Sequence, residues 1–169
     1  MQSFCKIRSV DNGHAIQKTF LLPDGTVEKF SVTKDRDSVV IFAITPEQEV
    51  ILTLQFRPHT ERVELELPGG GLEENEGVIM AGTRELKEET GFVGEIHHLA
   101  SVPYSAKSTG KRHMCMALNC QQTYVQQLDK NEHITVVKTP VEKFKKLMRH
   151  GRVRGFECAY LAMEKLGML

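Results

Sequence analysis

The sequence predicts an α+β fold, with a mixed β-sheet, three helices and a strand-rich N-terminal segment. The first third reads as strands broken by turn signals, the middle holds one helix behind a glycine cluster, and two helices close the chain. Strands and helices do not alternate as regular βαβ units, which argues against a doubly wound parallel sheet. At 169 residues the chain can bury one full core and is short for two. Residues 35–169 are expected to form the main domain. Residues 1–34 are expected to pack separately or reach across to a second subunit.

Each element has its own signal. Asn12-Gly13 and Pro23-Asp24-Gly25 are turn sequences separating strands at His14 to Leu22 and Thr26 to Thr33. Asp37 to Thr45 and Glu49 to Phe56 flank Pro46-Glu47-Gln48, a hairpin connection. Arg62 to Leu67 alternates, so Val63, Leu65 and Leu67 are expected in a core, with Glu64 and Glu66 facing away. After Pro68-Gly69-Gly70-Gly71 the period changes. Ile79, Thr83 and Leu86 stand at helical spacing, and Gly91 sits where a helix C-cap glycine belongs. Further strands fall at Ile96 to Val102, Met114 to Cys120 and Ile134 to Val137. Thr139-Pro140 reads as an N-cap and first helical residue of a helix stopping at Gly151. The last helix is expected to bury Phe156, Ala159, Tyr160, Met163 and Leu166 on one face.

Composition narrows the function. Lys+Arg and Asp+Glu both total 22, and a balanced charge argues against dedicated nucleic-acid or anionic-membrane binding. No apolar run approaches the roughly 20 residues that span a bilayer, and no signal peptide is expected, since the N-terminal residues lack a basic stretch followed by an apolar one. Cys5, Cys115, Cys120 and Cys158 form no C-x-x-C pair and no zinc spacing, so reduced, packed thiols in a cytoplasmic protein are expected.

The chemistry is concentrated in Gly70 to Phe92. Glu85, Glu88 and Glu89 stand at i, i+3 and i+4, on one helix face, where like charges repel by a few tenths of a kcal/mol per pair. A hard divalent cation would relieve that repulsion, and Mg²⁺ and Mn²⁺ favour carboxylate oxygens. Arg84, one position before Glu85, is expected to point elsewhere. Glu76 precedes the helix and can fold back to the carboxylates or to Arg84. An acidic helix face is ordinarily a solvated face, but the spacing here is too specific for that. Gly70, Glu76, Arg84, Glu85, Leu86, Glu88, Glu89, Gly91 and Phe92 fill G-x5-E-x7-R-E-U-x-E-E-x-G-U without a gap, U being a bulky apolar residue. At a background of roughly 5–7% per fixed residue, chance does not produce it.

That pattern resembles the signature of the Nudix hydrolase superfamily. The resemblance implies an α/β/α sandwich around a mixed sheet, and Mg²⁺- or Mn²⁺-dependent hydrolysis of a nucleoside diphosphate linked to another moiety. It implies Glu85 and Glu89 as metal ligands with Glu88 assisting, and a metal contact from the Gly69 carbonyl. Gly70, Glu76 and Arg84 take supporting places. Glu85 and Glu88 are also candidates for catalysis.

The flanks, Leu54-Gln55-Phe56-Arg57-Pro58, Glu64 to Gly70 and the stretch Asn131 to Val153, resemble the ADP-ribose and ADP-sugar pyrophosphatase branch. That similarity implies a nucleotide-sugar substrate, Glu132 as a catalytic or metal-binding acid, Arg57 and Glu66 as substrate contacts, and a homodimer exchanging the N-terminal strands. The loop Tyr104 to His113 departs from the branch because it holds no acid. Lys107, Lys111, Arg112 and His113 either grip phosphates or form an exposed basic loop. Without tryptophan, base stacking falls to Phe30 or Tyr104. A triphosphate or capped-RNA pyrophosphohydrolase and a non-catalytic nucleotide-sugar sensor are the alternative functions.

Overall fold

The computed structural model describes residues 4–169; residues 1–3 of the expected N-terminal segment lie outside the described residues. The chain divides into two compact units, one running up to Asp37 and including Val102–Arg112, the other made of Ser38–Ser101 and His113–Leu169.

In the first unit, β1 (Cys5–Asp11), β2 (Ala15–Leu21) and β3 (Val27–Thr33) form an antiparallel sheet in that order. Both predicted turns occur where the sequence put them. The Asp24 carboxylate accepts the Thr26 N–H at 3.0 Å, the local bond that makes aspartate a turn residue. The segment 102–112 adds to this sheet at β3: Thr33 N–H donates to the Lys107 carbonyl at 2.7 Å, and Thr109 N–H donates to that of Thr33 at 2.9 Å.

The second unit carries the main sheet. Its strands are β4 (Ser38–Ile44), β5 (Glu49–Arg57), β6 (Arg62–Glu66), β7 (Phe92–Pro103), β8 (Lys111–Gln122) and β9 (Ile134–Pro140). They run in the order β6-β5-β4-β8-β7, with β9 paired to β5. The helices are α1 (Val78–Thr90), α2 (Val141–Arg149) and α3 (Phe156–Lys165). Strand β4 is apolar almost throughout because both faces are covered. Val39, Ile41 and Ala43 pack with Ala81 and Leu86 of α1. Phe42 and Ile44 pack with Phe144 of α2 and Cys158, Ala159, Ala162 and Met163 of α3. The period-2 alternation of one strand thus separates the helices into two layers around the sheet. This is the expected α+β sandwich.

Several local expectations fail. Val63 is exposed and Glu66 buried, because Glu66 is held by a bidentate ion pair from Arg57 and needs no water. Ile79 and Thr83 are exposed; the buried stripe of α1 is Ala81, Gly82, Glu85, Leu86, Glu89 and Thr90. Thr139 is not an N-cap, since it pairs with Val50 in the sheet and α2 starts after Pro140. Phe156 and Tyr160 face solvent, and α3 buries Cys158 and Ala162 beside Ala159 and Met163.

All four cysteines are free thiols. Burial pushes Cys115 and Cys120 up to about 11 and Cys158 to about 12, so these three behave as small apolar residues at neutral pH.

Phe144 is fully buried, with its ring centroid 5.8 Å from that of Phe42. Phe144→Ala is expected to destabilise the protein by about 3–5 kcal/mol, read from the shift of a urea unfolding midpoint.

Candidate active site

Helix α1 is delivered to the sheet with its acidic end inward. It begins after the glycine-rich turn and ends at Gly91, whose φ of 75° and N–H bond to the Lys87 carbonyl at 2.8 Å make a left-handed cap. Because the stripe facing the sheet includes Glu85 and Glu89, these carboxylates are buried, to 9% and 5% exposure. Glu88, at i+3 from Glu85, remains partly exposed.

Residues 68–71 run alongside β4: Ile41 N–H donates to the Pro68 carbonyl at 2.9 Å and Val39 N–H to that of Gly70 at 2.8 Å. This puts the glycines against the helix carboxylates. Gly69 N–H donates to Glu89 Oε2 at 2.8 Å. A Cβ at Gly70 would collide with the Glu85 carboxyl group, so a larger residue there would have to displace that carboxylate.

Arg84 organises the cluster. Its Nε and Nη2 clasp Glu76 at 2.9 and 2.8 Å, Nη2 also donates to the Gly71 carbonyl at 3.0 Å, and Nη1 reaches Glu85 at 2.9 Å and Glu88 at 3.1 Å. The guanidinium has five N–H groups, and these five bonds use them. The expectation that Arg84 points away from Glu85 is therefore wrong: its long side chain curls back along the helix and bonds Glu85 and Glu88 together. Glu76 takes the second of its two predicted options and binds Arg84, which holds its carboxyl below the ordinary range.

One guanidinium does not balance Glu76, Glu85, Glu88 and Glu89. Burial raises the Glu85 carboxyl, against the pull of Arg84. Glu89 is pushed up to about 8, first by burial and then by the charges of Glu85 and Glu132, with the Gly69 N–H and Arg57 opposing. Among the described residues, no three His, Cys, Asp or Glu side chains are drawn together tightly enough to form a closed metal cage. In their present bonds, Glu85 and Glu88 are turned to Arg84 and Glu89 to Gly69. The donor set is nonetheless all oxygen and excess negative, as a hard cation requires.

The other predicted residues fall into two groups. Arg57 and Glu66 meet each other, with Arg57 Nε and Nη2 each 2.7 Å from a Glu66 oxygen; the effect of Glu89 on Arg57 puts this pair beside the cluster. Glu132 lies on the loop before β9, one oxygen accepting the Asp129 N–H at 3.0 Å. Phe30, Tyr104, Lys111 and Arg112 belong to the first unit. There Phe30 packs edge-on to Phe20 with centroids 5.9 Å apart, and the Arg112 guanidinium stacks over the Tyr104 ring at 4.9 Å. His113 is not an exposed loop residue. It is buried, and its Nδ1 shares a 2.7 Å hydrogen bond with the Ser101 hydroxyl.

Sequence reasoning missed two residues. Arg154 reaches Glu64 at 3.2 Å and stands 3.9 Å from Glu66, beside Arg57. Gln126 bonds the carbonyls of Glu89 and Ile134. Neither lies in a motif; both are brought in by sheet pairing and loop closure.

Comparison with known proteins gives the family. The NUDIX domain model matches residues 34–156, most of the chain. The chain belongs to the Nudix family. It is a Nudix hydrolase, similar to an ADP-ribose pyrophosphatase of Bacillus subtilis (28% identity over 142 residues, 82% of this chain and 77% of the relative). It is similar also to an ADP-ribose pyrophosphatase of Saccharomyces cerevisiae (34% identity over 103 residues, 57% of this chain and 45% of the relative). The crystal structure of an ADP compounds hydrolase superposes with a TM-score of 0.80 at 19% identity, covering 100% of this chain and 98% of the other. It shares the fold.

Burial of Glu89 gives this Nudix protein a pH-dependent contribution to stability. Its folded-state pKa lies above the ordinary 4.5, so between about pH 4.5 and 8 the folded chain keeps a proton that the unfolded chain has lost. Stability of the metal-free protein is therefore expected to fall as pH rises through that window. Glu89→Gln should flatten the dependence, as measured by denaturant midpoints at each pH.

Proposed function

We propose that this Nudix hydrolase is a Mg²⁺- or Mn²⁺-dependent pyrophosphatase that cuts the diphosphate linkage of an ADP-ribose-like nucleotide sugar. The products are a nucleoside monophosphate and a sugar phosphate. The observation that carries the reading is the buried, under-neutralised pair Glu85 and Glu89, set against glycine backbone and served by one shared arginine. Burying carboxylates without balancing charge costs stability, and proteins retain such groups where a cation or a reaction uses them. The nucleotide-sugar assignment is supported by the two similar ADP-ribose pyrophosphatases.

Glu85 and Glu89 would hold the metal, with Glu88 assisting and the Gly69 carbonyl offering a further oxygen. When bound, the cation neutralises the phosphate oxygens and acidifies water. Arg84 keeps Glu85 and Glu88 oriented, and Glu76 fixes Arg84 in turn. Glu132, steadied by the Asp129 N–H, accepts the proton of the attacking water. Glu66 holds Arg57 through Nε and Nη2, leaving Nη1 to meet a phosphate oxygen. Lys111 and Arg112 supply positive charge for the substrate, and Phe30 or Tyr104 a ring for the base. The subunits pair as a homodimer through the N-terminal strands, where Ile7, Val10 and Val27 are exposed. The free thiols suit a reducing cytoplasm.

Incubation with ADP-ribose and Mg²⁺ is expected to yield AMP and ribose 5-phosphate. Release of pyrophosphate or phosphate from nucleoside triphosphates, with ADP-ribose intact, would overturn the substrate assignment. Glu85→Gln and Glu89→Gln should each lose more than the roughly hundred-fold that loss of a merely supporting group can cost. Wild-type turnover by either variant at saturating Mg²⁺ removes that residue from the metal site.

A further inference from the structure

The loop between β8 and β9 is strapped to the C-terminal end of α1 by contacts that its composition does not announce. The last carbonyls of a helix lack intrahelical partners, and here a distant segment supplies them. Thr123 and Tyr124 N–H groups donate to the Gly91 carbonyl at 3.2 and 3.1 Å, and Gln127 N–H donates to that of Glu88 at 2.9 Å. Lys87 places its ammonium 4.1 Å from the centroid of the Tyr124 ring. Any Cβ at Gly91 would run into the Tyr124 carbonyl, so the cap glycine also provides the space in which the loop docks. Within this mostly exposed loop, Gln126 is half-buried. Its amide nitrogen donates to the Glu89 carbonyl at 2.6 Å and to the Ile134 carbonyl at 3.2 Å.

Those two carbonyls belong to the last turn of α1, the helix that carries Glu85 and Glu89, and to the start of β9, just after Glu132. Glu89 is in the last turn of α1. Ile134 is the first residue of β9, two residues after Glu132. The loop between, 128–133, has one half-buried apolar side chain, Leu128, and a local turn closed by Asp129 and Glu132. It has little packing of its own to keep Glu132 in place.

We propose that Gln126 is a positioning residue: by cross-linking the last turn of α1 to the first residue of β9, it sets the place of Glu132 relative to Glu85 and Glu89. This rests on the roles given to those three acids above. A glutamine suits the task because one NH₂ group carries two donors and can serve two carbonyls at once. An acid of the same shape cannot.

The test uses the full chain and five proteins: wild type, Gln126→Ala, Glu132→Gln, the double variant, and isosteric Gln126→Glu as a check against misfolding. With ADP-ribose and Mg²⁺, Gln126→Ala and Gln126→Glu are expected to lower kcat by about ten-fold or more, as loss of a supporting group does, with KM little changed. In the Glu132→Gln background the Ala substitution should add nothing, since both act through one group. In the metal-free proteins, amide hydrogen exchange across 128–134 should rise in both Gln126 variants and not in Glu132→Gln. Unchanged exchange, or losses that multiply in the double variant, would overturn the proposal. If instead wild type leaves ADP-ribose intact, or Glu85→Gln and Glu89→Gln stay active, the reading of the site fails and takes the catalytic part of this proposal with it. The exchange data still decide whether Gln126 holds the loop.

Discussion

The Arg84 guanidinium, with all its N–H groups taken, joins the turn at 71–76 to the acidic face of α1. Three carboxylates that would repel one another on this part of the chain are instead spaced by a single planar donor. Glu76 receives the bidentate clasp and is nearly neutralised by it. Glu85 and Glu88 share the remaining edge. The glycine-rich turn, the helix and the site chemistry thus depend on one side chain.

Arg84 leaves Glu89 out, and that omission shapes the rest. Glu89 is buried on the sheet side of the helix, with one backbone N–H as its direct partner. Neighbouring Glu85 and Glu132 add to the burden while Arg57 relieves it. A site built this way can relieve that burden by protonating the carboxyl or by setting the ionised form against a cation. The second guanidinium, Arg57, is kept from collapsing onto Glu89 by its own acid, Glu66. Each of these two arginines is clasped through two nitrogens by an acid that is not a proposed ligand, Glu76 on Arg84 and Glu66 on Arg57, while Arg84 also reaches Glu85 and Glu88.

Much of the fold was legible because its signals are local. The turns at Asn12-Gly13 and Pro23-Asp24-Gly25, the continuous apolar run of β4 and the cap at Gly91 follow from backbone sterics and burial of one or both strand faces. The errors share a cause. Alternation and helical spacing put Val63, Phe156 and Tyr160 inside, but such a period finds an apolar stripe without saying which part of it a neighbour covers. Strand alternation likewise turns Glu66 outward, and its partner Arg57 lies on another strand, outside that pattern.

The sequence by itself determined the family and the identity of the helix acids. Fixed spacing on one helix is enough to bring Glu85, Glu88 and Glu89 to one side, and a gapless motif needs no tertiary knowledge to be read. Only the tertiary structure decided which acids are buried, which are paired and what holds them. The bonds that settle this, Gly69 to Glu89, Arg57 to Glu66 and Gln126 to Glu89 and Ile134, link segments joined by sheet pairing or loop docking. Hydrogen bonds and desolvation depend on distance in space, and linear spacing encodes that distance only within a helix turn or a strand pair.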